Sequence, residues 1–319
     1  MIRKSELIKS RNRIKSCIVK TPLVTNNSFK KLFGLEIFLK LENKQITNSF
    51  KIRGAANAIL SYKEKYGYFP EKVVIQSSGN HAYATSYIAA KHNIKLLIFM
   101  ASNVSQFKIS KIKEFGAEVI ICDKRSEANF LAQEKQAEGY VFIHPSDNDD
   151  VIMGQASCAI EIFEDNKDIN YLFMPCGGGG LASGCYLAAN SFTPSCKVVA
   201  CEPSNANDAF LSIKNNKIYS FIDSPQTIAD GARTLAVSQR CFNYLKKIHD
   251  LVAIKEERII YWQKKMEDIL QINIEPTSAL SIAAIELYKN NSKFKRNDKI
   301  CAIITGGNVA NNLVSECNS

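Results

Sequence analysis

Short runs of β-branched and other apolar residues alternate along this chain with longer stretches in which apolar residues recur every three or four positions. The short runs predict strands at Glu36–Leu41, Val73–Gln76, Leu96–Met100, Glu118–Cys122, Tyr140–Ile143, Tyr171–Met174, Lys197–Cys201 and Ile300–Thr305. Most of these runs are too apolar to have a wet face, which is typical of buried parallel strands. The helix-like stretches between them lie near residues 51–65, 81–92, 105–115, 126–138, 151–165, 181–190, 256–270 and 277–290. This alternation predicts an α/β protein with mostly parallel sheets flanked by helices.

The length of the chain and the absence of linkers indicate its domain organisation. At 319 residues it exceeds the roughly 250–300 residues at which a single core stops growing, which favours two domains. No internal repeat, low-complexity tract or long Pro/Gly linker divides the sequence. We therefore expect a second domain nested in the first, with ligands in the turns that follow the carboxyl ends of the strands.

The composition is that of a soluble globular protein, with 46% hydrophobic and 23% charged residues. No apolar run approaches the about 20 residues that a membrane helix needs, Leu96–Ala101 being among the longest. The N-terminal MIRKSELIKSRNRIKSC lacks the apolar stretch and cleavage site of a secretory signal. These features predict a cytoplasmic protein without a membrane partner.

Charge and cysteine usage narrow the choice of partners further. The formal net charge is +10, but the lysines occur singly or in pairs without a basic block, so nucleic-acid binding is not expected. A diffuse positive field either steers small anionic ligands or is a solvated surface, and the sequence leaves both readings open. The ten cysteines include no CxxC pair and several lie in aliphatic segments, which favours buried free thiols over zinc sites or disulfides.

Two polar turns follow predicted strands in the first third of the chain. In LENKQITNSFKIRGAANAI, Lys51 begins a predicted helix, where the helix dipole and desolvation would lower its pKa and favour a nucleophilic amine. A lone lysine is more often a solvated cation. In QSSGNHA, residues 77–81 would offer hydroxyls and backbone N–H groups to a carboxylate, although an ordinary capped helix with an interior histidine has the same pattern.

Two glycine-rich turns follow later strands. Gly177, Gly178, Gly179 and Gly180 stand between a strand and a helix, where curled backbone and a helix N-terminus can surround a phosphate. The run is neither GxGxxG nor GxxxxGK[ST], so the dinucleotide and P-loop readings fail and the phosphate of another cofactor is favoured over a flexible turn. Thr305-Gly306-Gly307-Asn308 can meet a ligand edge-on, but a capped turn looks the same.

Taken together and in this order, SFKIRGAANA, SSGNHA, GGGGLASG and ITGGN resemble the fold-type-II pyridoxal-phosphate enzymes of the serine/threonine dehydratase and serine racemase family. The segments EPSNAND and TIADGAR strengthen the resemblance, which extends from Thr21 to Asn308. It implies the tryptophan synthase β-like fold, with two open, twisted, mostly parallel sheets. It also implies a large cofactor-binding domain of residues 1–46 and 147–319 and a nested small mobile domain of residues 47–146.

The resemblance implies a role for each motif. Lys51 would form the Schiff base with pyridoxal 5'-phosphate, next to Phe50, and Asn80 would hydrogen-bond the ring hydroxyl of the cofactor. The phosphate would be held by Gly177, Gly178, Gly179, Gly180 and Leu181, and Thr305 would face the pyridine nitrogen. Ser77, Asn80 and His81 would hold the substrate carboxylate. Ser78 matches the serine that, in members able to racemise, protonates the face opposite the lysine.

A cation site is also implied by the resemblance. Glu202, the carbonyl of Ala206 and Asp208 match the structural divalent-cation site of serine-racemase-like members. Two carboxylates and a carbonyl are hard oxygen ligands that suit Mg²⁺ or Ca²⁺, whereas a lone E-x5-D is more often two surface acids.

The expected function is that of a pyridoxal-phosphate-dependent L-serine/L-threonine ammonia-lyase, with a small hydroxy amino acid as substrate and a homodimer as the family expectation. Serine racemase and threo-3-hydroxyaspartate ammonia-lyase are the alternatives, and a non-catalytic binding protein of this fold is the remoter one. Only 14 residues follow Thr305, so a feedback-regulated threonine deaminase with an appended domain is not expected. A sulfhydrylase is less expected, because those enzymes usually show SGNTG where this chain has SGNHA.

Departures from the family pattern concern the substrate. Asn48 stands where the family often has glycine, and Ala82-Tyr83 follows the histidine where serine racemases typically have Gly-Gln. Local alignment brings Glu127 near the place of the arginine that helps some serine racemases bind substrate, so the sequence predicts no such arginine here.

Overall fold

The computed structural model describes residues 2–77, 79–102 and 106–309, and residues 106–108 by their backbone alone. The strands are β1 (Leu23–Thr25), β2 (Glu36–Leu41), β3 (Lys72–Gln76), β4 (Lys95–Ala101), β5 (Glu118–Cys122), β6 (Val141–Phe142), β7 (Tyr171–Pro175), β8 (Lys197–Pro203), β9 (Asp250–Ile254) and β10 (Lys299–Ile304). The helices are α1 (Lys4–Ile14), α2 (Asn27–Phe33), α3 (Lys51–Tyr66), α4 (Asn80–Lys91), α5 (Gln106–Lys113), α6 (Arg125–Ala137), α7 (Asp149–Asp165), α8 (Gly180–Phe192), α9 (Asp208–Lys214), α10 (Gln239–Leu245), α11 (Glu256–Leu270) and α12 (Pro276–Asn290).

Within these residues the strands form two sheets. The larger has the order β1-β2-β10-β7-β8-β9 and the smaller the order β5-β4-β3-β6. All neighbouring strands are parallel except β1, which runs antiparallel to β2. The α/β class with two mostly parallel sheets is as predicted.

The sheets draw on separate parts of the chain. The smaller sheet uses only strands between residues 72 and 142, while the larger uses strands before residue 42 and after residue 170. This order is compatible with a nested second domain, and its boundaries at residues 47 and 146 stay a prediction.

All eight predicted strands are present, and the structure adds β1 and β9. β1 has three residues, none of them buried, and becomes a strand through its pairing with β2. β9 begins with the polar Asp250 and pairs with β8. β1 and β9 are the outer strands of the larger sheet, and each forms by pairing with the edge of a longer strand, β2 or β8. The local sequence pattern does not reveal that such an edge lies nearby.

Burial follows the predicted pattern of parallel strands. All five residues of β7 are buried, as are six of the seven residues of β8. Helices cover both faces of the larger sheet, with α7 and α8 in one apolar cluster and α11 and α12 in another. Nine of the ten cysteines lie within the described residues, all buried as free thiols, which confirms the prediction for them.

A fully buried group of charges joins α3 to the larger sheet. The guanidinium of Arg53 donates to both oxygens of Glu42 at 2.7 and 2.8 Å and to both oxygens of Glu161 at 2.7 and 2.8 Å. Lys40 Nζ donates to Glu161 at 2.7 Å and to the carbonyl of Thr21 at 2.7 Å. Two cations and two anions thus contact one another in the protein interior. Arg53, at their centre, lies on α3 two residues after Lys51.

No helix within the described part of the chain is long and apolar enough to cross a membrane.

Candidate active site

A cavity of about 580 Å³ lies where turns from both sheets meet. Its wall contains most of the predicted site residues, namely Phe50, Lys51, Ser77, Asn80, His81, Gly177, Gly178, Gly179, Gly180, Leu181 and Thr305. Ser78 lies outside the described residues. Motifs that are up to about 250 residues apart in sequence therefore share one cavity, because the carboxyl ends of β3, β7 and β10 point to the same side.

The turn that carries Lys51 is fixed to the end of β10. Phe50 N–H donates to the carbonyl of Thr305 at 3.1 Å, and Gly307 N–H donates to the carbonyl of Asn48 at 3.0 Å. Asn48 has a φ of 50°, in the left-handed region that asparagine tolerates better than most residues. This conformation explains how asparagine replaces the glycine that the family often has at this position.

Lys51 borders the cavity at the first position of α3, with its Nζ 5.0 Å from the centre of the Phe50 ring. Desolvation lowers the pKa of its amine to about 8, and the nearby Arg125 lowers it further, while Cys241 and Glu275 oppose the shift. A lysine with this pKa is partly unprotonated near neutral pH, which is the nucleophilic form. The pKa shift predicted for Lys51 is therefore present in the structure.

The glycine run is built for close approach of the backbone. A Cβ at Gly177 would lie 2.5 Å from the carbonyl oxygen of Gly231, and one at Gly178 would lie 2.4 Å from Ser146 Oγ. Gly179 has a φ of 83° and no side chain caps the helix α8 that follows. The N-terminus of α8 thus lies at the cavity wall without a side-chain cap among the described residues, which is an arrangement that suits a phosphate.

A second helix N-terminus at the cavity wall belongs to the SSGNHA turn. Gly79 is the N-cap of α4, and no described side chain caps this helix, so its first N–H groups lie at the wall of the cavity. The His81 ring donates from Nε2 to the carbonyl of Ile143 at 3.0 Å, because a carbonyl can only accept. Nδ1 then carries a lone pair, and burial lowers the ring pKa to about 3. A carboxylate here would accordingly meet the backbone N–H groups and not the His81 ring.

Asn80 is held by residues that the sequence analysis did not identify. Its Nδ2 donates to both oxygens of Glu275 at 2.9 Å, and its Oδ1 accepts from Asn308 Nδ2 at 2.8 Å. Glu275 also accepts the backbone N–H of Asn308 at 2.9 Å. The two oxygens of one carboxylate lie too close together to take one Nδ2 hydrogen each, so they share a single hydrogen. The amide of Asn80 is thereby oriented with its other Nδ2 hydrogen left for a ligand. A glutamate before the proline of IEPTSAL is the only sequence signal for this contact.

Thr305 lies at the end of β10 with its hydroxyl 3.0 Å from Ser278 Oγ. Ser278 also accepts the N–H of Gly306 at 3.0 Å, so both hydroxyls belong to a fixed network at the start of α12. Ser278 donates its single hydrogen to the carbonyl of Gly306 at 3.0 Å, so the Thr305 hydroxyl donates to Ser278 and keeps its lone pairs for a ligand. A neutral hydroxyl is therefore the group that faces a ligand at this wall.

The cavity wall contains an arginine that the sequence analysis did not identify, Arg125. Its side chain lines the cavity from the start of α6 and donates to the carbonyl of Arg233 at 2.7 Å. Burial and the neighbouring Arg233 lower its pKa, and Asp208 raises it. Glu127, which local alignment brings near the substrate arginine of some serine racemases, does not line the cavity. Its carboxylate accepts the N–H of Asp123 at 2.9 Å. Arg125 lies two residues before Glu127 in the chain.

The predicted cation ligands lie outside the cavity wall. Glu202 is fully buried and accepts the N–H groups of Ala209 and Phe210 at 3.2 and 2.8 Å. Asp208 accepts from the Thr234 hydroxyl at 2.9 Å with Oδ1, while its buried Oδ2 has no partner among the described residues. No group of three or more His, Cys, Asp or Glu side chains that could hold a metal occurs within the described ranges. A cation here would depend on the two carboxylates, a carbonyl and water.

The sequence matches known proteins over nearly its whole length. A family model described as "Pyridoxal-phosphate dependent enzyme" matches residues 14–306. The chain is 38% identical over 303 residues to a serine racemase of Schizosaccharomyces pombe, covering 93% of this chain and 91% of that protein. It is 33% identical over 307 residues to an L-threo-3-hydroxyaspartate ammonia-lyase of Saccharomyces cerevisiae, covering 95% and 92%.

A solved structure agrees with the sequence matches. Maize serine racemase superimposes with a TM-score of 0.91 at 31% identity, covering 97% of this chain and 94% of that one. These likenesses confirm the fold class and the resemblance predicted from the four motifs.

Proposed function

Because this chain belongs to the family of pyridoxal-phosphate dependent enzymes, we propose that it is an ammonia-lyase that removes the β-hydroxyl and the amino group of a small hydroxy amino acid such as L-serine or L-threonine. The products are a 2-oxo acid and ammonia. The observation that carries the proposal is one cavity wall that contains the half-buried Lys51, whose amine has a lowered pKa, two helix N-termini without a side-chain cap and a neutral hydroxyl.

The cavity fits pyridoxal phosphate. Gly177–Gly180 would hold its phosphate at the N-terminus of α8, where a Cβ at Gly177, Gly178 or Gly179 would lie less than 3.0 Å from a neighbouring atom. Lys51 would bind its aldehyde carbon. Asn80, oriented by Glu275, has a hydrogen left for the ring hydroxyl. When bound, the cofactor supplies a ring that accepts the electron pair left at Cα after a proton is removed.

The residues of the chain account for the remaining steps. The N-terminus of α4 would fix the substrate carboxylate. With the carboxylate fixed, the substrate could be oriented so that its Cα–H bond points at the amine of Lys51. The amine of Lys51 would take the Cα proton as a general base. Thr305 is a hydroxyl and not a carboxylate, so it would place no negative charge beside the ring nitrogen to favour protonation there. A long-lived carbanion would then be disfavoured, which favours loss of the β-hydroxyl over transamination.

A substrate panel tests this proposal. Protein loaded with pyridoxal phosphate is given L-serine, L-threonine, D-serine and L-threo-3-hydroxyaspartate, and both 2-oxo acid and inverted amino acid are measured. We expect 2-oxo acid as the main product from an L-hydroxy amino acid. Dominant inversion of serine would assign the chain to the racemases, and no product from any substrate would contradict the proposal. The size of the protein in solution tests the expected homodimer separately.

L-threo-3-hydroxyaspartate is the second candidate substrate, and Arg125 favours it. The guanidinium lines the cavity without a carboxylate partner among the described residues, and a second substrate carboxylate would supply one. We expect Arg125→Gln to lower kcat/KM for hydroxyaspartate by about 10²-fold, which is the effect of losing a pair of charge-assisted hydrogen bonds. The value of kcat/KM for L-serine should change little. Arg240→Gln, at an exposed ion pair, is the control. Equal losses on both substrates would argue against a distal-carboxylate role.

Mg²⁺ or Ca²⁺ is proposed to bind at Glu202, the carbonyl of Ala206 and Asp208. Two buried carboxylates with an unpartnered oxygen form a hard donor set that fits such a cation. At about 100 times its Kd, Mg²⁺ should stabilise the metal-free protein by about 2.7 kcal/mol, measured by thermal unfolding with and without the ion. Asp208→Ala should abolish that response, and the exposed Asp223→Ala should keep it. A full response in Asp208→Ala would refute the site.

A further inference from the structure

His144 lies in the turn after β6, and hydrogen bonds fix which of its ring nitrogens carries hydrogen. The backbone N–H groups of Ser146 and Asp147 both point at Nδ1, at 3.2 and 2.7 Å. A backbone N–H can only donate, so Nδ1 must present its lone pair, and the hydrogen of the ring is assigned to Nε2. Protonation of Nδ1 would break both contacts. The ring is therefore a neutral imidazole with a donor at Nε2.

The surroundings of the ring keep it neutral. Burial lowers the pKa of His144 to about 4, Asp147 opposes the shift, and the charges of Lys51 and Arg125 add to it. At neutral pH the Nε2–H group is thus present in nearly every molecule. No hydrogen bond from Nε2 to a described residue is present, and the side chain lines the cavity.

The backbone anchors this imidazole on both sides. Ser146, two residues on, packs its side chain against Gly178 of the glycine run. Ile143, one residue earlier, accepts the Nε2–H of His81 at 3.0 Å. The edge of the Phe142 ring contacts His144 at 5.8 Å between centroids. A ring held this firmly is suited to placing one donor in one direction.

The other parts of the cavity already have ligands assigned by their chemistry. The N-terminus of α8 suits the phosphate, that of α4 suits the substrate carboxylate, and Thr305 suits the ring nitrogen. Arg125 suits a second substrate carboxylate, so the β-hydroxyl of the substrate is the group left for the Nε2–H of His144. This step rests on the proposed function.

We propose that His144 is a catalytic residue whose Nε2–H donates a hydrogen bond to the β-hydroxyl oxygen of the substrate and stabilises that oxygen as it leaves. Lys51 takes the Cα proton, the electron pair of the C–H bond forms the Cα=Cβ double bond, and the Cβ–O bond breaks with its pair going to oxygen. The proton on Lys51 passes to that oxygen, which departs as water. His144 keeps its own hydrogen, because a neutral imidazole is far too weak an acid to transfer it.

His144→Asn separates this role from a structural one. The Oδ1 of asparagine can replace Nδ1 as acceptor for Ser146 and Asp147, so the turn is kept while the cavity donor is lost. Elimination is compared for the best hydroxy amino acid of the panel and for β-chloro-L-alanine, whose chloride leaves without a proton and accepts hydrogen bonds weakly. We expect kcat for the hydroxy substrate to fall by about 10²-fold, as for the loss of one oxyanion donor, with kcat for β-chloro-L-alanine within about threefold of wild type.

Two further variants complete the test. His144→Gln keeps an amide donor near the place of Nε2 and should recover most of the selectivity between the two substrates, even if loss of the Nδ1 contacts lowers its thermal stability. His249→Asn, at an exposed histidine just before β9, should behave as wild type. Unchanged visible absorbance of the bound cofactor checks that each variant is loaded.

The outcomes distinguish the two proposals. If His144→Asn loses equal activity on both substrates, or none on either, the leaving-group role is wrong while the lyase function stands. If wild-type protein forms no 2-oxo acid from either substrate, the proposed function itself fails.

Discussion

Lys51→Ala is expected to lower 2-oxo acid formation by about 10⁴-fold or more, because it removes the proposed general base together with the amine that binds the cofactor. The visible absorbance band of lysine-bound pyridoxal phosphate should vanish with it. Turnover and the spectrum are measured on the same preparation. The matched control is Lys44→Ala, an exposed lysine seven residues earlier, which should keep both the band and the activity.

The lowered pKa of Lys51 adds a pH dependence to this prediction. Only the unprotonated amine can attack an aldehyde, and the pKa is about 8. The rate at which metal-free, cofactor-free protein takes up pyridoxal phosphate should therefore rise about tenfold per pH unit below that pKa and level off above it. An uptake rate that still climbed as steeply at about pH 10 would mean that the amine has the ordinary pKa of lysine. A band that persists in Lys51→Ala would place the attachment on another residue.

Arg53→Met is expected to lower the free energy of unfolding by about 3–5 kcal/mol, the usual cost of removing one partner from a buried ion network. The guanidinium is 0% exposed and makes two hydrogen bonds to each of Glu42 and Glu161. Without it these two carboxylates share only the charge of Lys40. Urea unfolding and the thermal midpoint of the cofactor-loaded protein measure the loss.

Two controls define what the Arg53 result means. Arg11→Met breaks an ion pair with Glu164 whose side chains are 26% and 42% exposed, and it should cost no more than about 1 kcal/mol. The double variant Arg53→Met with Glu42→Gln removes one charge of each sign and should recover part of the loss. If Arg53→Met were no more harmful than Arg11→Met, the buried network would not stabilise the fold.

The strands show how far the local pattern reaches. A run of apolar residues predicts a strand wherever both faces are covered, as in β7 and β8, because a strand buried on both faces is apolar throughout. β1 has no such run, since none of its three residues is buried and only its pairing with β2 makes it a strand. Sheet edges are therefore where sequence reasoning fell short.

The site shows the same division. Lys51, the glycine run and Thr305 could be placed at one site in advance because four motifs in a fixed order resemble a known family, whereas each turn alone has an ordinary structural explanation. Arg125, His144 and Glu275 could not, because a single arginine, histidine or glutamate between ordinary neighbours has no local signature. They enter the site only when α6, the turn after β6 and the start of α12 close around the cavity.

The sequence by itself determined the order of strands and helices, the polar turns at strand ends, and the resemblance that pointed to pyridoxal phosphate. These are local properties, since side-chain periodicity and turn chemistry act within a few residues. Only the tertiary structure decided the electrostatics of the site. It set the pKa of Lys51, the tautomer of His144 and the orientation of Asn80, because desolvation and hydrogen-bond partners come from residues distant in the chain.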